Sequence, residues 1–183
     1  VPPYCLAEPQ AARGLDRLRD QGPVPWRRAL IIGERAAEIL EKALTATGAA
    51  HRVLTPSRCL VSVRDEVKVL DFGVAELEPG AAPDSSYRAP GDAGDSRSDV
   101  YALAVILLEL ISGQRCSTTP PPRLRSLVAA PQSVDDLLAK ALASAAEQRH
   151  PDIAAMRAEL RELLGLSALG HVRKDMTAPP LLA

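Results

Sequence analysis

The segment S-R-S-D-V-Y-A-L-A-V-I-L-L-E-L-I-S, residues Ser96–Ser112, is apolar on nearly every side of a helical projection. A helix that meets water carries a polar face, so a helix without one is predicted to be buried. Gly113 follows directly and is a typical residue at the end of a helix. At the other end, Ser96 and Asp99 have the spacing of a capping box. We therefore predict a central helix around which the rest of the chain packs.

The segments on either side of this helix have the periodicities of smaller elements. Apolar residues at steps of three and four predict further helices. These lie around Leu15 and over 26–47, 133–143 and 151–164. Alternation over 59–70 instead predicts two short strands joined by a polar turn. The predicted fold class is mainly α with one or two small β-hairpins.

The composition excludes several classes of protein. The 183 residues include 22 basic and 23 acidic side chains, which argues against a nucleic-acid partner held by bulk charge. The longest apolar run, residues 100–108, is too short to cross a bilayer, so we expect no membrane insertion. Three widely spaced cysteines form no C-x-x-C pair, which favours reduced thiols and a cytoplasmic location over a zinc site or disulfides.

Five short motifs occur in an order that resembles one enzyme family. They are H-R-V-L-T-P-S-R at 51–58, V-K-V-L-D-F-G at 67–73, Y-R-A-P at 87–90, S-D-V-Y at 98–101 and Q-R-H-P-D at 148–152. In this order they resemble the larger, C-terminal lobe of bacterial Hanks-type Ser/Thr protein kinases. The resemblance implies a kinase-like C-lobe over 1–164, without the N-terminal lobe, and a C-terminal tail or linker over 165–183.

The same resemblance shows where the chain departs from the family pattern. The kinase catalytic loop reads H-R-D-L-K-P-x-N. The position of its proton-accepting Asp is Val53, that of its Lys is Thr55, and that of its magnesium-binding Asn is Arg58. Further along, Asp84 stands where the family has a Thr, and Gly91 replaces the Glu of A-P-E. The catalytic positions are therefore predicted to be degenerate.

These departures remove the chemistry that the family relies on. Phosphoryl transfer depends on positioning and on charge stabilisation. Val53 cannot accept a proton, and Arg58 places a cation where a metal ion would bind. Neither a G-x-G-x-x-G loop nor a V-A-I-K strand occurs in the chain. We predict that the chain is not an enzyme and needs no cofactor, with weak Mg-ATP binding through Asp71 left open.

Two acidic residues retained from the family pattern have two interpretations each. Asp71 is either a vestigial metal ligand or part of a structural D-F-G turn, in which Phe72 packs on His51 and Gly73 supplies the backbone conformation. Asp99 either accepts hydrogen bonds from the catalytic-loop backbone, as the family implies, or only caps its helix.

Arg149 is predicted to be structural and to lack its family partner. The resemblance pairs this arginine with the Glu whose position is Gly91. A buried arginine without an acceptor is costly. We therefore expect Arg149 to find another acceptor, such as Asp92 or Asp95, or to point to solvent.

A phosphorylation site is the remaining candidate. Arg52 matches the arginine that binds a phosphorylated activation loop in many kinases. Ser85 and Ser86 are nearby candidate phosphosites, and Arg88 is a second candidate phosphate-binding residue. The alternative is an unmodified polar loop.

The first functional hypothesis is a catalytically inactive pseudokinase lobe that binds a protein partner as a scaffold or regulator in signalling. Its binding surface is predicted over 74–95 and 114–131, and the identity of the partner and the oligomeric state stay open. The alternative is a nucleotide-binding switch or residual Ser/Thr kinase that needs an N-lobe absent from this chain. A purely structural remnant between other domains is a third interpretation.

Overall fold

The computed structural model describes residues 12–77, 85–91 and 94–166. Within these residues the chain forms seven α-helices and three short strands, which confirms the predicted fold class. The helices are α1 Leu15–Arg19, α2 Trp26–Thr47, α3 Val74–Leu77, α4 Ser96–Ser112, α5 Leu124–Leu127, α6 Gln132–Ala141 and α7 Ile153–Leu164. The strands are β1 Arg13–Gly14, β2 Cys59–Val61 and β3 Val67–Val69.

Helix α4 is the centre of the core, as its apolar composition predicts. Every residue from Ser98 to Ser112 is buried, and α1, α2, α6 and α7 pack around it. The predicted capping box is wrong in its details. The N-cap is Asp95, whose carboxylate accepts a hydrogen bond from the Arg97 amide, and Ser96 is already helical. The capping role therefore falls to Asp95, and Asp99 is left to interact elsewhere.

Helix α2 lies against both α4 and α7. Gly33 allows the close approach to α4, because a Cβ there would come within 2.9 Å of a Leu107 methyl group. On the α7 side, the buried Glu34 carboxylate accepts from Arg157 Nε at 3.0 Å and from Arg161 Nη1 at 3.1 Å. Steric fit on one side and a shared carboxylate on the other hold α2 in place.

The three strands form one antiparallel sheet in the order β1-β2-β3. Cys59 pairs with Val69 and Val61 with Val67, so the predicted hairpin is present. Strand β1 has only two residues, too few to show alternation, and sequence reasoning missed it. The hairpin turn is held to α2 by the two-point contact between Arg28 and Asp65, with N–O distances of 2.8 and 3.0 Å.

Several predicted boundaries shift by one or two residues. Helix α6 begins at Gln132, one residue before its predicted start, and α7 begins at Ile153, two residues after its predicted start, with Asp152 as its cap. The loop over 74–95 contains the one-turn helix α3 and a 3₁₀ turn, Ser85–Tyr87. Most of the tail over 165–183 lies outside the described residues, and the domain boundary at 164 stays a prediction.

We expect Glu34→Ala to lower the free energy of unfolding by about 2 kcal/mol, because Arg157 and Arg161 lose a buried acceptor. Urea unfolding followed by circular dichroism measures this change. Lys42→Ala is the matched control on the same helix. Lys42 is 72% exposed and pairs with Glu38 at the surface, so its loss costs below about 0.5 kcal/mol. Equal effects of the two substitutions would contradict the role of Glu34.

Candidate functional site

The loop over 51–58 is attached to the central helix through Asp99. The buried Asp99 carboxylate accepts a hydrogen bond from the His51 amide at 2.8 Å and one from the Arg52 amide at 2.7 Å. Arg52 has a φ of 63°, in the left-handed region that non-glycine residues rarely adopt. Such a conformation persists where the surroundings determine it. The carboxylate of Asp99 thus holds the loop in a conformation that it would not take by itself.

His51 links this loop to the D-F-G segment. Its Nε2 lies 2.7 Å from the carbonyl oxygen of Leu70, which can only accept, so Nε2 carries the proton. The imidazole also makes an edge-on contact with the Phe72 ring, with centroids 4.9 Å apart. Gly73 follows with a φ of 82°. These contacts keep the two loops in a defined relation to each other.

Val53 lies at the position where the family has its proton acceptor. Its side chain is buried, at 2% exposure, and contains no polar atom. Its main chain bonds within the loop: the Val53 amide donates to the His51 carbonyl at 2.8 Å. Thr55 Oγ1 lies 3.1 Å from Ser57 Oγ. The position of the family's catalytic base is therefore occupied by a buried apolar side chain. Thr55 and Ser57, further along the loop, carry hydroxyl groups.

Arg58 makes an ion pair with Asp71 across the two loops. Arg58 Nε lies 2.9 Å from Asp71 Oδ2, and Arg58 Nη1 donates to the Val53 carbonyl at 2.6 Å. Asp71 has a φ of 63°, a second left-handed non-glycine residue at this site. Sequence reasoning expected Arg58 to repel a bound cation, but it missed that the guanidinium contacts Asp71 directly. The resemblance contained the signal, because it places both positions at one metal site.

The Y-R-A-P segment is fixed to α4 by a residue that sequence reasoning did not single out. The Glu109 carboxylate is 1% exposed and accepts from Tyr87 Oη at 3.0 Å, from Arg19 Nη1 at 2.7 Å and from the Cys116 amide at 2.8 Å. Burial and the nearby Glu109 charge raise the pKa of Tyr87, so its hydroxyl stays protonated. The sequence did contain a signal for this role, because Glu109 is the one charged residue in the apolar stretch 100–111 of α4.

The candidate phosphosites lie close to this anchored segment. Ser85 is exposed and begins the 3₁₀ turn that Tyr87 ends, and Arg88 is also exposed. The Arg52 side chain passes close to Gly94. Gly91 is exposed with a φ of 63°. Ser86 is partly buried in the same turn, and Asp84 lies outside the described residues.

Arg149 is buried, at 5% exposure, so of the two expected alternatives the orientation towards solvent is excluded and another acceptor is found. Its guanidinium lies over the Tyr101 ring, 5.2 Å from the ring centroid. It also donates to main-chain oxygens, which satisfy part of its hydrogen-bonding capacity. The acceptors are the carbonyls of Pro90, Ala143 and Ser144, at distances between 2.7 and 3.0 Å. The expected acceptor Asp92 lies outside the described residues.

Two kinds of feature are absent from the part of the chain that the structure describes. Among residues 12–77, 85–91 and 94–166, no three His, Cys, Asp or Glu side chains are grouped as a metal site. Over the same part of the chain, no helix has both the length and the apolar character to cross a membrane.

Comparisons with known proteins agree with this geometry. The kinase PknB of Mycobacterium leprae is 30% identical over 188 residues, which covers 86% of this chain and 30% of the relative. PknB of Mycobacterium tuberculosis is 28% identical over 175 residues. The alignment covers 79% of this chain and 28% of that relative. The chain is a homologue of bacterial serine/threonine protein kinases. It spans less than a third of the length of these relatives, and no protein-family model matches it.

The comparison with solved structures concerns the fold. The crystal structure of the Mycobacterium tuberculosis PknI kinase domain superposes with a TM-score of 0.69 at 26% identity. The match covers 82% of this chain and 62% of that domain. Together with the mainly helical architecture and the small sheet, this match shows a fold like that of the kinase C-lobe.

The two acidic residues at the start of α4 allow a direct test of the loop contact. We expect Asp99→Ala to lower the free energy of unfolding by about 3 kcal/mol, because two amides lose a buried charged acceptor. Asp95→Ala is the control and removes only the helix cap, at a cost of about 1 kcal/mol. Both are measured by urea unfolding. A cost for Asp99→Ala no larger than that for Asp95→Ala would contradict the anchoring role.

Proposed function

We propose that the chain is a catalytically inactive kinase-like lobe that binds a protein partner. The ion pair between Arg58 and Asp71 is the observation that carries this proposal. It joins two positions that hold magnesium in the family and neutralises the one carboxylate among them. Val53 supports the same conclusion, because a buried isopropyl group cannot take the proton of a substrate hydroxyl.

The residues at this position do not fit a magnesium ion. Mg²⁺ prefers near-octahedral oxygen ligands and keeps most of its waters when a site offers few carboxylates. Here Asp71 is already bound to a guanidinium at 2.9 Å. A metal ion would have to displace Arg58 or sit beside it, and like charges at such distances repel. The ion pair therefore leaves no place for a catalytic metal at Asp71.

The arrangement of the loops supports a role in binding. Glu109 accepts from Tyr87 on one side and from the Cys116 amide on the other. These residues belong to the two segments predicted to form the partner surface, 74–95 and 114–131. Because one buried carboxylate bonds both Tyr87 and Cys116, the two segments are held in a fixed relation to each other at these two residues. Such preorganisation lowers the entropic cost of binding.

A nucleotide-binding switch is the second candidate, and one observation favours it. Leu70 and Phe72 flank Asp71 and are 39% and 40% exposed. Two large apolar side chains beside a former nucleotide site are suited to being covered by another lobe or another protein. For a nucleotide-binding switch, that other lobe or protein would have to supply the groups that bind the nucleotide.

Incubation with radiolabelled Mg-ATP and a serine/threonine protein substrate tests the first half of the proposal. We expect no phosphate transfer above the level of an Asp71→Asn variant, because Arg58 replaces one metal ligand and pairs with the other, Asp71, and Val53 replaces the base. A bacterial serine/threonine kinase is the positive control. Transfer that Asp71→Asn abolishes would overturn the proposal. Calorimetric binding of Mg-ATP at micromolar concentration, without transfer, would move the switch to first place.

The ion pair itself is tested by removing the guanidinium. We expect Arg58→Ala to increase manganese binding at Asp71, because the carboxylate loses its competing cation. Paramagnetic broadening of amide signals around residues 71–74 reports the bound ion. Lys68→Ala is the control, since it removes a nearby exposed positive charge without touching Asp71. Equal broadening in wild type and Arg58→Ala would contradict a blocking role for Arg58.

A further inference from the structure

His150 is a buried ionisable residue just before α7. Its side chain is 1% exposed, and its Nε2 lies 2.9 Å from Glu159 Oε2. Lys140 Nζ donates to the same oxygen at 2.8 Å. A residue of α6, a residue of α7 and a residue of the loop between them thus meet at one carboxylate oxygen. We call His150, Glu159 and Lys140 the His150 cluster.

The contacts of the cluster show which nitrogen of the ring carries the proton. Burial opposes the ionisation of Glu159, but the hydrogen bonds from Lys140 and His150 outweigh it and lower the pKa of this carboxyl group. An ionised carboxylate can only accept, so His150 Nε2 donates. Nδ1 is then the bare nitrogen of a neutral ring. It is buried and has no hydrogen-bond partner among the residues that the structure describes.

Protonation of the ring would therefore have to occur at Nδ1. The new N–H group would be enclosed without an acceptor, and a buried donor that makes no hydrogen bond is costly. Burial is the largest influence on the pKa of His150 and lowers it, which outweighs the opposite effect of the hydrogen bond with Glu159. The folded chain thus favours the neutral imidazole.

The other charged groups around His150 do not reverse this preference. Lys140 disfavours a second positive charge, whereas Asp152 at the cap of α7 acts together with Glu159 in favour of it. The buried carboxylates of the neighbouring helices α2, α4 and α6 already accept hydrogen bonds from other residues. These carboxylates are Glu34, Asp99, Glu109 and Asp135.

Burial reverses the effect of acid that is expected for a histidine paired with a glutamate. An exposed pair gains stability in acid, because the charged ring is attracted to the carboxylate. Here the unfolded chain takes up the proton near the ordinary histidine pKa of about 6.5, while the folded chain resists it. The stability that the neutral ring contributes is therefore complete above about pH 6.5 and is lost as the pH falls from there towards the lowered pKa.

The segment that contains His150 is bonded to two other parts of the fold. On one side, Arg149 Nη2 donates to the carbonyl of Pro90, in the Y-R-A-P segment, at 3.0 Å. On the other side, the Ile153 amide donates to Ser96 Oγ, at the start of α4, at 3.2 Å. A displacement of His150 therefore acts directly on the contact that holds the Y-R-A-P segment.

We propose that His150 is a pH-sensitive switch, whose protonation in mildly acidic solution loosens the His150 cluster and, through Arg149, the Y-R-A-P segment. Histidine suits this role because its charge changes within the physiological range of pH. The inference rests on the proposed function in one respect, since the Y-R-A-P segment belongs to the predicted partner surface over 74–95. The partner surface is then ordered at neutral pH and loosened in acid.

Titration of the histidine rings in the full chain tests the switch without any substitution. The ¹³C–¹H signals of the rings are followed by NMR between pH 8 and pH 5. The chain has three histidines, and the His150 signal is identified by its absence from His150→Phe. We expect the pKa of His150 to be lower than in the same chain unfolded in urea. An equal or higher pKa in the folded chain would overturn the inference.

Urea unfolding at pH 7.5 and at pH 5.5 measures the effect on stability. We expect the midpoint of wild type to fall in acid and this fall to be at least halved in His150→Phe, whose ring cannot be protonated. Lys140 is 47% exposed, and Lys140→Gln should also reduce the fall, because it removes a cation that disfavours the charged ring. Lys42→Gln is the matched control and should leave the fall unchanged. A midpoint that rises in acid, or equal falls in all four proteins, would contradict the switch.

Hydrogen exchange connects the switch with the Y-R-A-P segment. Exchange rates of the amides over 85–91 and 149–156 are measured at both pH values relative to the unfolded chain at the same pH. We expect both groups to exchange roughly threefold faster or more at pH 5.5 in wild type, with no such difference in His150→Phe. Unchanged relative exchange over 85–91 in wild type would overturn the coupling to that segment.

The two proposals fail in different experiments. Absence of an acid effect at His150, with phosphate transfer still absent, overturns the switch and leaves the inactive binding lobe in place. Metal-dependent phosphate transfer overturns the inactive lobe whatever the titration of His150 shows.

Discussion

A buried helix that carries two carboxylates is the constraint on which this structure depends. Helix α4 is enclosed on all sides, so Asp99 near its start and Glu109 near its end cannot be solvated by water. A buried charge without partners costs several kcal/mol, so each must collect donors from the surrounding chain. Asp99 accepts hydrogen bonds from the amides of His51 and Arg52. Glu109 accepts them from Tyr87 and Arg19. The positions of the loop over 51–58 and of the Y-R-A-P segment follow from this requirement.

The loop over 51–58 has a defined conformation although Val53 and Arg58 depart from the family pattern. Asp99 holds the loop through main-chain amides, and His51 contacts the main-chain carbonyl of Leu70. These contacts do not involve the side chains of Val53 and Arg58. Arg58 then adds a bond of its own by pairing with Asp71. The charges of Arg58 and Asp71 thus join the two loops.

Sequence patterns predicted the larger elements well because long periodic segments carry a repeated signal. Helix α2 and helix α4 have the predicted bounds, 26–47 and 96–112. Short features were less accessible. Strand β1 exists only because β2 lies beside it, and the cap of α4 fell to Asp95 because Asp99 found partners far away along the chain. A local pattern contains no information on such distant partners.

The amino-acid sequence by itself determined the mainly helical class, the central position of α4 and the loss of an acidic group at Val53, since these follow from composition and from residue identity. Only the tertiary structure decided the bond between Arg58 and Asp71 and the three donors on Glu109. Each of these joins residues that are far apart in the chain. Their contact energies depend on distances of a few ångströms, which no pattern of residue types specifies.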